Sequence, residues 1–133
     1  MHDLATILLA EDNDDDAFLI ERAFIKARLA NPINRVKDGV EAIAYLAGEG
    51  EYSDRKKFPC PYFILLDLKM PRTDGFGVLQ WIREHPKLKK LLVVVLTGQP
   101  VDSPAHAFMV EKAYELGANS FLRKSPNSTT WST

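Results

Sequence analysis

The amino-acid sequence predicts an α/β fold in which helices cover both faces of a five-stranded parallel sheet. Apolar runs of strand length alternate along the chain with stretches of helical period, and this order of elements builds parallel sheets. The run at residues 91–96 is continuously apolar and rich in β-branched residues, as is typical of a strand buried on both faces. The chain of 133 residues is long enough for one domain with a substantial core.

The elements follow in order from these patterns. The predicted strands are short apolar runs at residues 5–10, 33–36, 62–67, 91–96 and 120–122. The predicted helices carry apolar residues at helical spacing, over residues 14–29, 40–47, 75–84 and 105–116. The third helix stops before Pro86, and Gly117 ends the fourth. The simplest strand order is flavodoxin-like, 2-1-3-4-5, which places the ends of the first and third strands side by side.

Polar side chains stand where four of the predicted strands end. Glu11 and Asp12 follow the first strand, and Asp67 ends the third. Thr97 and Lys124 stand at the ends of the fourth and fifth. Because open α/β sheets place their chemistry at the carboxyl ends of the strands, we expect these side chains to meet. Three carboxylates, a hydroxyl and an amine suit a site for Mg²⁺ and a phosphoryl group.

Composition excludes several other classes of function. The net charge of −1 gives no electrostatic reason to expect binding to nucleic acid or to an anionic membrane. No apolar run approaches the roughly 20 residues of a membrane helix, and the N-terminus does not resemble a signal peptide. Cys60 is the one cysteine, so an internal disulfide framework is excluded. We therefore expect a cytoplasmic protein, and the spacing of its three histidines indicates no metal site.

The motifs at the strand ends resemble those of a response-regulator receiver domain, the CheY-like module of two-component signalling. The motifs that carry the resemblance are Glu11-Asp12-Asn13, residues 66–71 with Asp74-Gly75, residues 95–98, and residues 117–124. All fall in the order and spacing of that family, and their combination is far more specific than any one of them. The charged, aromatic segment at residues 49–61 is similar to that of stand-alone regulators found beside bacteriophytochromes.

The resemblance implies a role for each acidic residue. Asp67 would take a phosphoryl group from a kinase phosphohistidine and form an acyl phosphate. Asp12 and Asp67 would bind Mg²⁺ directly, Glu11 would act through water, and the Lys69 backbone carbonyl would be a further ligand. The chain would be a single-domain response regulator and not an enzyme in the usual sense, because it assists only its own phosphorylation and dephosphorylation. Its partner would be a sensor histidine kinase, of phytochrome type, or a histidine phosphotransfer protein.

The resemblance also implies a conformational switch. Lys124 would pair with the phosphoryl oxygens, and the Thr97 hydroxyl would bond the phosphoryl group and pull its loop inward. Phe121 occupies the position of the family's switch aromatic, so its ring would turn inward after Thr97 moves. This would be a two-state element biased by a covalent modification.

Three features depart from the family pattern. Lys69 stands two residues after Asp67, and its long cationic side chain could shield the acyl phosphate from water, so we expect slow autodephosphorylation. Ser125 follows Lys124 in place of proline, so we expect a trans peptide bond there and a less well-aimed amine. The receiver would cover residues 1–124, followed at 125–133 by a short polar tail that lacks a fifth helix. We therefore expect the uncovered face to cause marginal stability or self-association, for example as a homodimer.

Each residue also has an ordinary structural alternative. Asp12 could cap a helix, Asp67 could be a turn residue, and residues 14–16 are expected to be solvated residues that open a helix. Thr97 and Lys124, taken singly, could be an ordinary strand-end hydroxyl and a surface amine. Among functions, an aspartyl phosphohydrolase of the haloacid dehalogenase group is disfavoured, because that group has an acid where Lys69 stands. A pseudo-receiver, which would serve as a scaffold or dimerisation module without phosphorylation, stays open.

Overall fold

Five parallel strands form one sheet in the order β2-β1-β3-β4-β5 in the computed structural model, which describes residues 5–70, 72–98 and 102–124. The strands are β1 (Ile7–Ala10), β2 (Ile33–Val36), β3 (Phe63–Asp67), β4 (Leu92–Thr97) and β5 (Ser120–Arg123). The helices are α1 (Asp14–Lys26), α2 (Gly39–Ala47), α3 (Gly75–Glu84) and α4 (Pro104–Glu115). The predicted strand order and the alternation of strands and helices are confirmed.

The end of α1 differs most from its prediction. The apolar period continues to Leu29, but the helix ends at Lys26 and Ala27 caps it. Arg28 adopts a left-handed conformation with φ of 60°, and the Leu29 N–H donates to the Phe24 carbonyl. This is a Schellman turn made without glycine, so no sequence signal marked it. The other element ends differ from the predictions by at most two residues.

The two faces of the sheet are covered differently. On the three-helix face, strand residues such as Leu8, Ile64 and Val93 pack against α2, α3 and α4 in one large apolar core. On the opposite face, here called the α1 face, Leu9, Leu65 and their neighbours pack against α1 alone among the described residues. Alternate residues of each strand thus supply two separate cores, as the pleat of a strand requires.

The α1 face keeps an apolar groove. The groove has a volume of about 270 Å³ and is lined by Ile20, Phe24, Leu65, Leu96, Leu122 and neighbouring small residues. Phe18, Ile25 and Leu29 are exposed along or just after α1. The predicted tail at residues 125–133, its lack of a fifth helix and the bond between Lys124 and Ser125 all lie outside the described residues.

The long segment before β3 is ordered by packing and hydrogen bonding. Its aromatic rings Tyr52 and Phe58 pack against each other and against Tyr45 of α2. The Arg55 guanidinium donates hydrogen bonds to the carbonyls of Tyr45 and Leu46 at 2.9 and 3.0 Å. Both carbonyls belong to the last turn of α2, where the regular helical hydrogen bonds run out, and the Tyr45 carbonyl also accepts the N–H of the cap residue Gly48 at 3.1 Å. The segment therefore closes the C-terminal end of α2.

Candidate functional site

Strand register brings the predicted site residues to one edge of the sheet. Ala10 of β1 lies opposite Leu66 of β3, so Glu11 follows directly beside Asp67. On the other side, Asp67 lies opposite Leu96 of β4, so Thr97 is the next residue along. Thr97 in turn lies opposite Arg123 of β5, and Lys124 follows it. The placement of the site therefore depends on parallel pairing across four strands.

The acidic residues form a compact cluster. One carboxylate oxygen from each of Glu11, Asp12 and Asp67 lies within 4.8 Å of the others. Glu11 and Asp67 are buried and Asp12 is exposed. The Asp67 carboxylate also accepts a hydrogen bond from the Lys69 N–H at 3.0 Å. Asp67 is therefore both a turn residue and a member of the acidic cluster.

Lys124 reaches into this cluster. Its ammonium nitrogen donates hydrogen bonds to Asp67 Oδ2 and Asp16 Oδ2, each at 3.0 Å. The same nitrogen forms an ion pair with Glu11 Oε1 at 2.7 Å. Only 14% of the Lys124 side chain is exposed. The ammonium thus lies within hydrogen-bond reach of Asp67, and the expectation that it is aimed less well than in other receivers stays a prediction.

The pKa shifts at the site follow from burial and charge. Burial, followed by the neighbouring Asp67, raises the pKa of Glu11 to about 8. Burial alone would lower the pKa of Lys124, but attraction to Asp67, Glu11 and Asp16 raises it. The cluster thus carries more negative charge than one lysine neutralises when all its acids are ionised.

Thr97 and Phe121 lie beside the acidic cluster. The Thr97 hydroxyl is buried and has no hydrogen-bond partner among residues 5–70, 72–98 and 102–124. Its backbone carbonyl accepts a hydrogen bond from the Lys124 N–H at 2.7 Å. The ring of Phe121 is half-buried, with its centroid 5.4 Å from His106 and 6.3 Å from Tyr114 of α4. His106 is buried, and no sequence pattern had marked it as a site residue.

The start of α1 corrects two structural expectations. Asn13, and not Asp12, caps the helix, because its side chain accepts the Asp16 N–H at 2.9 Å. The expectation that residues 14–16 are merely solvated is wrong for Asp16, which bonds Lys124. Asp14 is exposed but pairs with Arg35 at 2.8 Å. The signal that could have revealed Asp16 is its position in the first helical turn after β1, which faces the carboxyl edge of the sheet.

The opposite side of the site is open. Glycine is required at position 75, because a Cβ there would lie 2.6 Å from the Leu68 Cα. This close approach brings the start of α3 against the end of β3. Beside it, a cleft of about 550 Å³ is lined by Asp12, Lys69, Met70, Asp74, Phe76 and neighbouring residues. A phosphoryl donor therefore has room to approach the acidic cluster from the side of Asp12 and Lys69.

The donor set fits a hard divalent cation. Three clustered carboxylates offer oxygen ligands, and Asp12 on the exposed side leaves space for waters that such an ion retains. Within the described part of the chain, the cluster contains no histidine or cysteine. Its oxygen ligands therefore suit Mg²⁺ or Mn²⁺ better than they suit zinc.

Comparison with known proteins identifies the family. The response regulator receiver domain matches residues 7–130. The chain belongs to this family. It is 37% identical over 121 residues to the response regulator Rcp1 of Synechocystis sp., covering 91% of this chain and 77% of Rcp1.

Two solved structures extend the similarity to the fold. The phosphorylated cyanobacterial phytochrome response regulator RcpA is 38% identical with a TM-score of 0.79, covering 93% of this chain and 83% of RcpA. The Mn²⁺-bound form of Rcp1 is 36% identical with a TM-score of 0.78, covering 92% of this chain and 83% of the other. The protein is thus a receiver domain of two-component signalling, related to phytochrome-associated regulators. Across the described ranges, no helix has the length and apolarity needed to cross a membrane.

Proposed function

We propose that this receiver accepts a phosphoryl group from a histidine kinase on Asp67, with Mg²⁺ bound, and signals by a change of conformation. The observation that carries the proposal is the position of Asp67. Its carboxylate is buried at a strand end, lies in a cluster of three acids and accepts a hydrogen bond from Lys124. A buried carboxylate that pairs with an ammonium group, beside a cleft with room for a phosphoryl donor, is suited to act as a nucleophile.

The transfer needs only Asp67 and the phosphohistidine of the partner as reacting groups. An Asp67 carboxylate oxygen attacks the phosphorus of a phosphohistidine and forms the new O–P bond of an acyl phosphate. The P–N bond breaks at the same phosphorus, and the histidine imidazole is the leaving group. Glu11, Asp12, Asp67 and the Lys69 carbonyl would hold Mg²⁺, whose charge offsets the repulsion between the acids and the incoming phosphoryl oxygens. Lys124, which contacts Asp67, would offset the negative charge of the phosphoryl oxygens. The protein would thereby assist its own phosphorylation and dephosphorylation.

The switch would run through Thr97 and Phe121. The buried Thr97 hydroxyl is free of partners within the described part of the chain, so a phosphoryl oxygen would supply a hydrogen bond that it otherwise lacks. Phe121 of β5 is half-buried against α4, so part of its surface is still exposed and would be buried by an inward turn of the ring. An inward move of Thr97 and of the Phe121 ring would alter the surface formed by α4 and β5.

The partners belong to the same proposal. Similarity to RcpA and Rcp1 favours a phytochrome-type sensor kinase as the donor, with a histidine phosphotransfer protein as the alternative. A second copy of the chain would cover the groove of the α1 face, supported by the apolar lining of the groove and by Leu29, which lines it and is about half exposed. The cytoplasmic location stays a prediction from composition.

Intact mass after incubation with acetyl phosphate and Mg²⁺ tests the transfer. We expect one added phosphoryl group that depends on Mg²⁺ and is absent from Asp67→Asn. A folded chain that gains no adduct would contradict the proposal and favour the scaffold alternative.

The decay of that adduct tests the role proposed for Lys69. Its side chain is exposed beside the acidic cluster, where it can exclude water from the acyl phosphate. We expect Lys69→Ala to shorten the lifetime of the adduct several-fold, and Lys69→Arg to preserve it. Equal decay in all three proteins would exclude shielding by this side chain.

A further inference from the structure

The Lys124 ammonium has one carboxylate partner that the metal cluster does not include. Its two hydrogen bonds go to Asp67 and Asp16, and its closest ion pair is with Glu11. Glu11 and Asp67 belong to the three-acid cluster, whereas Asp16 does not. A bound cation and a phosphoryl group would therefore compete with Lys124 for two of its partners and leave the third.

Asp16 is itself well fixed. It lies in the first turn of α1, and its N–H bonds the side chain of the cap residue Asn13 at 2.9 Å. Its side chain is 32% exposed, compared with 14% for Lys124. In such a partly buried setting a charge-assisted hydrogen bond is stronger and better defined than a surface ion pair. The pair also joins the start of α1 to the end of β5.

We propose that Asp16 is a positioning residue that keeps the Lys124 ammonium directed at Asp67 during phosphoryl transfer. This inference rests on the proposed function. A lysine has a flexible four-carbon stem and a compact charge that water solvates strongly. Glu11 and Asp67 would be shared with a bound cation, so the bond to Asp16 would be the contact that keeps the ammonium in the site, and the other N–H groups of Lys124 would be available to the phosphoryl oxygens.

A series of variants separates this role from a general effect of charge. Asp16→Ala removes the acceptor, and Asp16→Asn keeps an acceptor without charge. Asp15→Asn is the matched control, because Asp15 is exposed in the same helical turn and its loss changes the net charge by the same amount. The rate of adduct formation is measured by intact mass across acetyl phosphate and Mg²⁺ concentrations, and Mg²⁺ affinity by calorimetry.

We expect Asp16→Ala to slow phosphorylation about tenfold, with Asp16→Asn intermediate, as loss of a charge-assisted hydrogen bond implies. Mg²⁺ affinity is expected to stay within about twofold of wild type, since Asp16 lies outside the cluster. Asp15→Asn is expected to match wild type. In a Lys124→Ala background, Asp16→Ala should slow the reaction no further, because Asp16 acts through Lys124.

The contrary results are distinct. A wild-type chain that takes up no phosphoryl group would overturn both the proposed function and this inference. An active wild type with an unchanged or faster Asp16→Ala would overturn the inference alone. The same conclusion would follow if Asp15→Asn slowed the reaction equally, or if the Asp16→Ala effect persisted in full without Lys124.

Discussion

The three-helix face and the α1 face of the sheet use the same strands but differ in closure. On the three-helix face, side chains such as Leu79 and Ile82 are fully buried between the sheet and three helices. On the α1 face, Phe24 and Leu122 are only partly buried and line an open groove. Among the described residues, the sheet is therefore covered more completely on the three-helix face than on the α1 face.

The site lies at the edge where these two faces meet. Asp67 ends a strand whose Leu66 faces the three-helix core and whose Leu65 faces the groove. Lys124 is attached to β5, next to the groove-lining Leu122. Asp67 and Lys124 are therefore both attached to strands that contribute a leucine to the groove, Leu65 from β3 and Leu122 from β5.

The largest expected effect compares one leucine from each face. We expect Leu79→Ala to lower the free energy of unfolding by about 3 kcal/mol, because it leaves a cavity in a closed core. Leu122→Ala, at the open groove, should cost about 1 kcal/mol, since water already reaches its surroundings. Urea unfolding of both variants measures the difference. Equal losses would show that the α1 face is as well closed in solution as the other.

The next effect concerns Glu11, at the edge between the faces. Its pKa is raised to about 8 from 4.5, so the stability that it contributes is fully present below pH 4.5 and is lost as pH rises through 8. Without divalent cation, we expect the free energy of unfolding to fall by on the order of 2 kcal/mol between about pH 6 and pH 8. The pKa of Lys124 is raised above its ordinary value of 10.5. The stability that the protonated lysine contributes is therefore lost only at higher pH, above this range.

Urea unfolding at several pH values, with Glu11→Gln as the control, checks this expectation. The variant should lose most of the pH dependence. Mg²⁺ should flatten the wild-type curve, because the cation favours the ionised carboxylate. A wild-type curve that matches Glu11→Gln throughout would contradict the burial of an acid at this position.

The smallest expected effect on stability tests whether copies associate through the α1 face. Leu29 lines the groove and is 49% exposed, so Leu29→Lys should change the free energy of unfolding by only about 0.5 kcal/mol. The same change should shift a self-associating chain toward monomer in sedimentation experiments over a range of concentrations. Val40→Lys is the control, because Val40 is a similarly apolar, exposed residue on α2. A wild type that stays monomeric at all concentrations would exclude the proposed interface.

Sequence patterns predicted the sheet order and the meeting of Glu11, Asp12, Asp67 and Lys124, because parallel strands end at a common edge and apolar runs mark those ends. They did not single out Asp16 as a partner of Lys124, because Asp16 belongs to a helix and not to a strand end, and its contact with Lys124 depends on how α1 sits over the sheet. Asn13 was missed as the cap because Asp12 is an equally good capping residue type. The true end of α1 was missed because apolar Leu29 continues the period while Arg28 turns the chain.

The Arg55 guanidinium, which closes the end of α2, couples the opening of the charged segment before β3 to the opening of the helix end. Its bonds to the Tyr45 and Leu46 carbonyls break only if the segment leaves the helix. Residues 49–61 and the last turn of α2 therefore form one unit of local unfolding. Amide hydrogens bonded within that unit, such as those of Tyr52 and Phe58, should exchange with solvent at rates set by a shared opening, and Arg55→Ala should speed exchange at both places together.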